Sequence, residues 1–152
     1  MATANPVVAL MLDDIRYALP LTSVERVVRA VEITPLPDAP DIILGVINVH
    51  GRVVPVVDIR RRFGLPARAI AAGDQLVIAH TPRRCLALVA DTVRGVVECP
   101  AGDIVTPHDV LPDLHYVTGI ARLADGLILI HDLDGFLALD EERVLAQALK
   151  NT

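Results

Sequence analysis

The apolar positions of this chain fall in short runs rather than in long periodic stripes. Residues 7–12, 53–57, 76–79, 85–90 and 127–130 are rich in Val, Ile and Leu and are bounded by Gly, Pro or Asp. Such runs predict strands, because branched side chains pack well on a pleated surface. Several are continuously apolar, with no polar alternation. A strand of that kind is covered on both faces, as in a barrel wall held between its own interior and a neighbouring lobe. Pro55 interrupts the strongest run, and proline cannot donate to a ladder, so the pattern predicts an edge or a bulge there. Two segments carry helical spacing instead. At the C-terminus, Asp140 is placed to cap a helix whose acidic start is Glu141 and Glu142 and whose apolar stripe is Val144, Leu145, Ala148 and Leu149. A shorter helix is predicted over 22–30, where Val24, Val27, Val28 and the following Val31 share a face and Thr22 or Ser23 can cap.

The chain also repeats itself. YALPLTSVERVVRAVE at 17–32 returns as LALVADTVRGVVECP at 86–100, matching Val24, Val27 and Val28 to Val93, Val96 and Val97. GVINVHGRVVPVVDIRRRFGL at 45–65 returns as GIARLADGLILIHDLDGFLAL at 119–139, matching Gly45 to Gly119 and Asp58 to Asp132. The expected architecture is therefore one domain, residues 1–152, with two similar β-rich lobes built mainly from roughly 17–65 and 86–139. Each half is too small to be comfortable alone, so the halves are expected to bury apolar surface against each other.

Composition narrows the function. The chain of 152 residues is 53% hydrophobic, with a mean hydropathy of +0.49. No stretch approaches the roughly 18 apolar residues of a spanning helix. The N-terminus lacks basic residues before its apolar run and meets Asp13 and Asp14 early, unlike a secretory signal. Cytoplasm is the expected compartment, without membrane insertion. Cys85 and Cys99 have neither zinc-like nor redox spacing and read as reduced, structural thiols. A net charge of −5 opposes binding to nucleic acid, which needs a basic face. Arg60, Arg61 and Arg62 are the exception, and read first as a solvated turn.

No catalytic constellation emerges. Ser23 is the only serine and lies in no G-x-S-x-G turn. Cys85 is flanked by Arg84 and an apolar run, without a poised base nearby in sequence. His50, His80, His108, His115 and His131 are scattered singly, and the aspartates of His131-Asp132-Leu133-Asp134 fall where a strand ends. No glycine-rich phosphate loop is present. The expectation is a protein without catalytic residues, cofactor or metal. The apolar surplus points instead to surface left over for a partner. Leu21, Val24, Val27 and Val28 can present one stripe to a partner helix, and Pro55 can mark an edge that accepts or shields one.

The run from Tyr17 to Gly64, with ITPLP, the Gly45–Gly51 turn and VVPVVDIR followed by Phe63 and Gly64, resembles the signature half of CheW-like coupling proteins. The segment YVTGIARLADGLILIHDLDGFL at 116–137 is similar to the second-lobe ending of that family, so the likeness extends from Val7 to Leu139. The resemblance implies a mainly β fold of two small SH3-like β-barrel lobes packed side by side, with short helices and a C-terminal helix. It implies a chemotaxis adaptor that binds the regulatory domain of a CheA-type histidine kinase and the cytoplasmic helices of methyl-accepting chemoreceptors, with recruitment to receptor arrays at the inner membrane. It also marks two departures in the implied receptor-binding region, which includes Arg26, Asn48 and His50. His50 stands in NVHG where the family usually has arginine, and Arg26 stands close to its usual glutamate. Glu25 next door leaves room for a shifted polar contact. Two alternatives follow: a regulator that occupies the kinase without normal receptor coupling, or a domain sensing an apolar small molecule in a cavity.

Overall fold

A computed structural model of the chain describes residues 4–29, 31–105, 117–124, 126–131, 133, 137 and 139–150. The first strands, β1 (Ala4–Leu12) and β2 (Ile15–Pro20), form a hairpin. Its turn residues Asp13 and Asp14 have φ of 49° and 68°, the left-handed pair that matches strand twist in a two-residue hairpin and that Asp tolerates better than most residues. A single 3-10 turn at Leu21–Ser23 leads into β3 (Val24–Arg29). Then come β4 (Ile43–Val49), β5 (Arg52–Val57) and the one-turn helix α1 (Ile59–Arg62), capped by Asp58 accepting from the Arg61 amide. The hairpin β6 (Gln75–His80) and β7 (Cys85–Ala90) is followed by β8 (Thr92–Pro100), β9 (Ile104–Val105), β10 (Val117–Leu123), β11 (Gly126–His131) and the terminal helix α2 (Leu139–Lys150).

The strands form two sheets, in the orders β8-β1-β2-β11-β10-β9 and β3-β6-β7-β5-β4. Each curls towards closure by the same device. The chain leaving β3 returns at Thr34 to bond Val46 of β4, at 2.9 and 2.8 Å. The chain leaving β8 returns as β9 to pair Val105 with Ile120 of β10. Both halves of the chain contribute to both sheets: β2 lies in the first sheet while β3 to β5 lie in the second, and β7 lies in the second while β8 to β11 lie in the first.

The registers of the two halves correspond residue by residue. Val56 and Val57 of β5 run parallel to Ala87 and Leu88 of β7, just as Leu129 and Ile130 of β11 run parallel to Tyr17 and Ala18 of β2. The β4–β5 ladder slips between Ile43 and Gly45, and the β10–β11 ladder slips between Val117 and Gly119. Glycine is needed at both slips because the closing segment passes close by. A Cβ on Gly45 would meet the Thr34 carbonyl oxygen at 2.4 Å, and one on Gly119 would meet Ile104 Cγ2 at 2.8 Å.

Among the described residues, three apolar clusters follow from strands that face two ways. One lobe encloses Val7, Ala9, Ala18, Cys99, Ala121, Ile128 and Ile130, and the other encloses Ile47, Val49, Val54, Val56, Leu76, Ile78 and Ala87. The third lies between the lobes. There Leu10, Leu12, Tyr17 and Leu19 of the first sheet meet Val57, Val77, Ala79, Leu86, Leu88 and Ala90 of the second. In β6, Leu76 and Ile78 point into the barrel while Val77 and Ala79 point into the shared core. Such strands are apolar at every position because water reaches neither face. Tyr17, Phe63 and His131 stack where the lobes meet, with ring centroids 4.5 to 5.1 Å apart; aromatic rings at such spacing pack favourably beyond their buried area.

The expected mainly β, two-lobed architecture with a C-terminal helix is present, and its five strongest predicted strands appear as β1, β5, β6, β7 and β11. Three local expectations differ. Residues 22–29 are a 3-10 turn and a strand, not a helix; Ala30 lies outside the described residues. A bulge between Val24 and Arg26 mimics helical spacing, and β-branched valines favour the strand once β6 offers a ladder. Asp140 lies inside α2 rather than capping it, with Leu145 and Ala148 buried and Val144 exposed. Pro55 is buried in β5, which lies between β4 and β7 rather than at an edge. Proline is accommodated there because the β5–β7 ladder includes only Val56 and Val57.

The three arginines form neither the expected solvated turn nor a free basic patch, because Arg60 and Arg62 are drawn inward by carboxylates and only Arg61 is exposed. Arg60 is buried and reaches from α1 to the β1–β2 turn, donating from Nη2 and Nη1 to Asp13 at 2.6 and 2.9 Å. It also donates to Asp91, between β7 and β8, at 2.9 and 3.0 Å, and to the Pro66 carbonyl at 3.2 Å. Arg68 extends the network to Asp91 and, at 2.8 Å, to Asp74. Arg62 pairs with Glu141 at 2.5 Å and Arg84 Nε with Glu142 at 2.7 Å, tying α2 to the body. Arg61 is exposed, 3.6 Å from Asp41. Charged hydrogen bonds of this fork geometry fix direction as well as distance.

Candidate functional site

The β3 strand and the β4–β5 turn bring most of the sequence-predicted contact residues together. The turn is His50–Gly51, with φ of 51° and 84°, the two-residue left-handed form. Asn48 holds it by accepting from the Gly51 amide at 2.8 Å. Because of the bulge, consecutive residues Glu25 and Arg26 both reach this turn. Arg26 Nη1 contacts Nε2 of His50, and Arg52 donates from Nη2 to both Glu25 oxygens at 2.8 and 3.0 Å. The Cys85 thiol, at the start of β7, donates to the same carboxylate at 3.7 Å. The Arg52 hydrogen bond holds the Glu25 carboxyl below its ordinary value, and burial pushes the Cys85 thiol above its ordinary one.

The apolar residues divide. Val24 packs on the core between the lobes and Val28 on the interior of the second barrel. Leu21 and Val27 remain 38% and 37% exposed, and Val27 pairs in register with Val77 of the shared core. Val53 of β5, next to Arg52, is 56% exposed. Pro55 does not join this surface. Arg52 and Val53 were not singled out as contacts from the sequence; the signal available was the charge of Arg52 opposite Glu25, hidden by a separation of 27 residues. Away from this tip, a cleft of about 240 Å³ opens between the β6–β7 turn and α2, floored by Leu86, Leu133 and Leu137.

Cys85 and Cys99 are free thiols, and Cys99 is fully buried in the first barrel. His131 is buried in the ring stack. His108, His115, Asp132 and Asp134 lie outside the described residues. None of the described helices is long and apolar enough to cross a membrane.

A pair of β lobes presenting apolar side chains beside paired charges at one rim has the form of a protein that binds proteins. The profile of the CheW-like domain matches residues 6–141. The chain is 26% identical over 136 residues to the chemotaxis protein CheW of Rhizobium meliloti, covering 88% of each. It is 36% identical over 96 residues to the protein FrzA of Myxococcus xanthus, covering 63% of this chain and 60% of that one. The crystal structure of the scaffolding protein TtCheW from Thermoanaerobacter tengcongensis superposes with a TM-score of 0.83 at 29% identity, covering 91% of this chain and 96% of the other. The chain belongs to the CheW-like family, the coupling adaptors of chemotaxis-type signal transduction.

Proposed function

We propose that the chain works without catalysis, joining the regulatory domain of a CheA-type histidine kinase to the cytoplasmic helices of methyl-accepting chemoreceptors. The rim formed by β3 and the β4–β5 turn is one contact surface, with Leu21 and Val27 as apolar contacts and Arg26, Asn48 and His50 as polar ones. The observation that carries this reading is Val27, a valine left more than a third exposed on β3 opposite Val77 of the core between the lobes. An apolar side chain in that position gains by being covered, and a partner helix supplies the cover. Such a protein works in the cytoplasm and at receptor arrays on the inner membrane. The test is titration of purified kinase regulatory domain and receptor-tip fragment against wild type and Val27→Asp.

A second reading has one observation in its favour. The polar pair at the rim is Arg26 with His50, where the family resemblance implies a glutamate and an arginine. A rim of altered charge suits a regulator that holds the kinase and does not pass on receptor signals. A kinase assay with and without receptor separates the two, because a coupler changes kinase output only when both partners are present.

A further inference from the structure

We propose that the cleft between the β6–β7 turn and α2 binds a small carboxylate carrying an aromatic or branched apolar end. Its floor is Leu86, Leu133 and Leu137, all three members of the core between the lobes. A dry apolar cavity of about 150 Å³ takes a benzene ring. A cleft of about 240 Å³ therefore has room for a ring and a short chain. Small-molecule sites have this make-up, an apolar lining with a few polar groups that set orientation.

The polar groups lie on the turn and on α2. Arg84 and Glu142 are matched to each other, Nε donating to Oε1 at 2.7 Å. Arg83, the neighbouring residue of the turn, is exposed, and no described carboxylate pairs with it. One guanidinium is thus left over beside an apolar floor, and a guanidinium takes a carboxylate through two parallel N–H donors. The turn is set before any ligand arrives. Thr81 Oγ1 accepts from the amides of Arg83 and Arg84, both at 3.1 Å, and the Thr81 amide donates to the Arg84 carbonyl at 2.8 Å. Both strands beside the turn, β6 and β7, lie inside their sheet, so no strand edge is offered to a peptide backbone and a small molecule fits better. Leu86 belongs to β7 while Leu133 and Leu137 follow β11, so a bound molecule touches both halves of the chain. The cleft lies away from the β3 rim and stands whether or not that rim joins a kinase to a receptor.

The probe is phenylpropionate, added to the whole chain and followed by backbone amide shifts in NMR. It should move the amides of Arg83, Arg84 and Glu142 with a dissociation constant of about 1 mM or tighter, and it should raise the melting temperature. Phenylpropanol keeps the ring and loses the charge, so it should bind about 10-fold more weakly. Acetate should leave the same amides in place at the same concentration. Arg83→Gln changes an exposed side chain and should fold as the wild type does; it should weaken phenylpropionate about 10-fold and leave phenylpropanol unaffected. Phenylpropionate that moves no amide around the cleft, or that binds Arg83→Gln as tightly as the wild type, would overturn the site, as would acetate acting as strongly as phenylpropionate. A receptor-tip fragment or kinase regulatory domain that moves these amides where phenylpropionate does not would also overturn it, giving the cleft to a partner's side chain.

Discussion

The two lobes are built to the same plan and finished differently. Val53 of β5 and Leu127 of β11 occupy equivalent places and are each 56% exposed, while the next residues, Val54 and Ile128, are both buried in barrel interiors. Glu25 and Arg26 are matched on β8 by Arg94 and Gly95, by the registers of β3 with β6 and of β8 with β1. Arg52 is matched by Gly126, and Val57 by His131. The shared positions are those that fill barrels and turn corners. The positions that differ line the rim of the second barrel or the seam between the lobes. The shared plan therefore covers the scaffold, and the departures from it fall where the surface of this chain is particular.

The two barrel interiors should respond alike to truncation. Ile128→Ala and Val54→Ala should each cost about 2–4 kcal/mol, through lost transfer energy and the cavity left behind. Denaturant melts showing one costly and the other neutral would mean that the two barrels are not packed alike. The two closing glycines should respond differently. Gly45→Ala should cost about 2–3 kcal/mol, since its Cβ meets a backbone oxygen at a positive φ. Gly119→Ala should cost about 1 kcal/mol, because the obstacle is the end of an isoleucine side chain that can turn aside. Equal costs would show that the two closures are not built as described.

Much of this was legible beforehand, for a physical reason. Strands buried on both faces must be apolar at each position, so β6 and β7 announce themselves without any partner being known. The Gly45 and Gly119 match was legible because close approach of the closing segment admits no side chain at either place. β3 was not legible, since a bulge at Glu25 shifts Val27 and Val28 into a spacing that a helix would also give. The Arg60 clamp was hidden by distance: Asp13 and Asp91 lie 47 and 31 residues away in sequence, and three adjacent arginines look alike until each meets its own carboxylate. At the rim, the stripe of valines was found but its members divide between core and surface, which only the folded barrel decides.

The clamp gives a smaller, pH-dependent contrast between the lobes. The Arg60 hydrogen bond holds the Asp13 carboxyl below its ordinary value. Burial raises Asp91, but the Asp13 amide, Arg68 and Arg60 outweigh it and the net shift is also downward. A carboxyl depressed by folding adds stability above its unfolded value, and that stability is lost as pH falls through the folded value. Stability should therefore be flat near neutrality and fall below about pH 4. Asp91→Asn should lose less between pH 6 and pH 3 than the wild type does in denaturant melts. An unchanged acid dependence in that variant would remove Asp91 from the clamp's titration.

In the proposed function the β3 rim acts by surface complementarity and not through a reactive group. Val27→Asp places a carboxylate where an apolar partner surface would close over it. Circular dichroism should show the fold retained, while titration with the receptor-tip fragment and the kinase regulatory domain should show a loss of about 2 kcal/mol, roughly 30-fold, for the partner that covers the rim. Cys85→Ala and Ser23→Ala should bind as the wild type does. Folded Val27→Asp that binds both partners normally, with activity abolished instead by Cys85→Ala or Ser23→Ala, would contradict the claim.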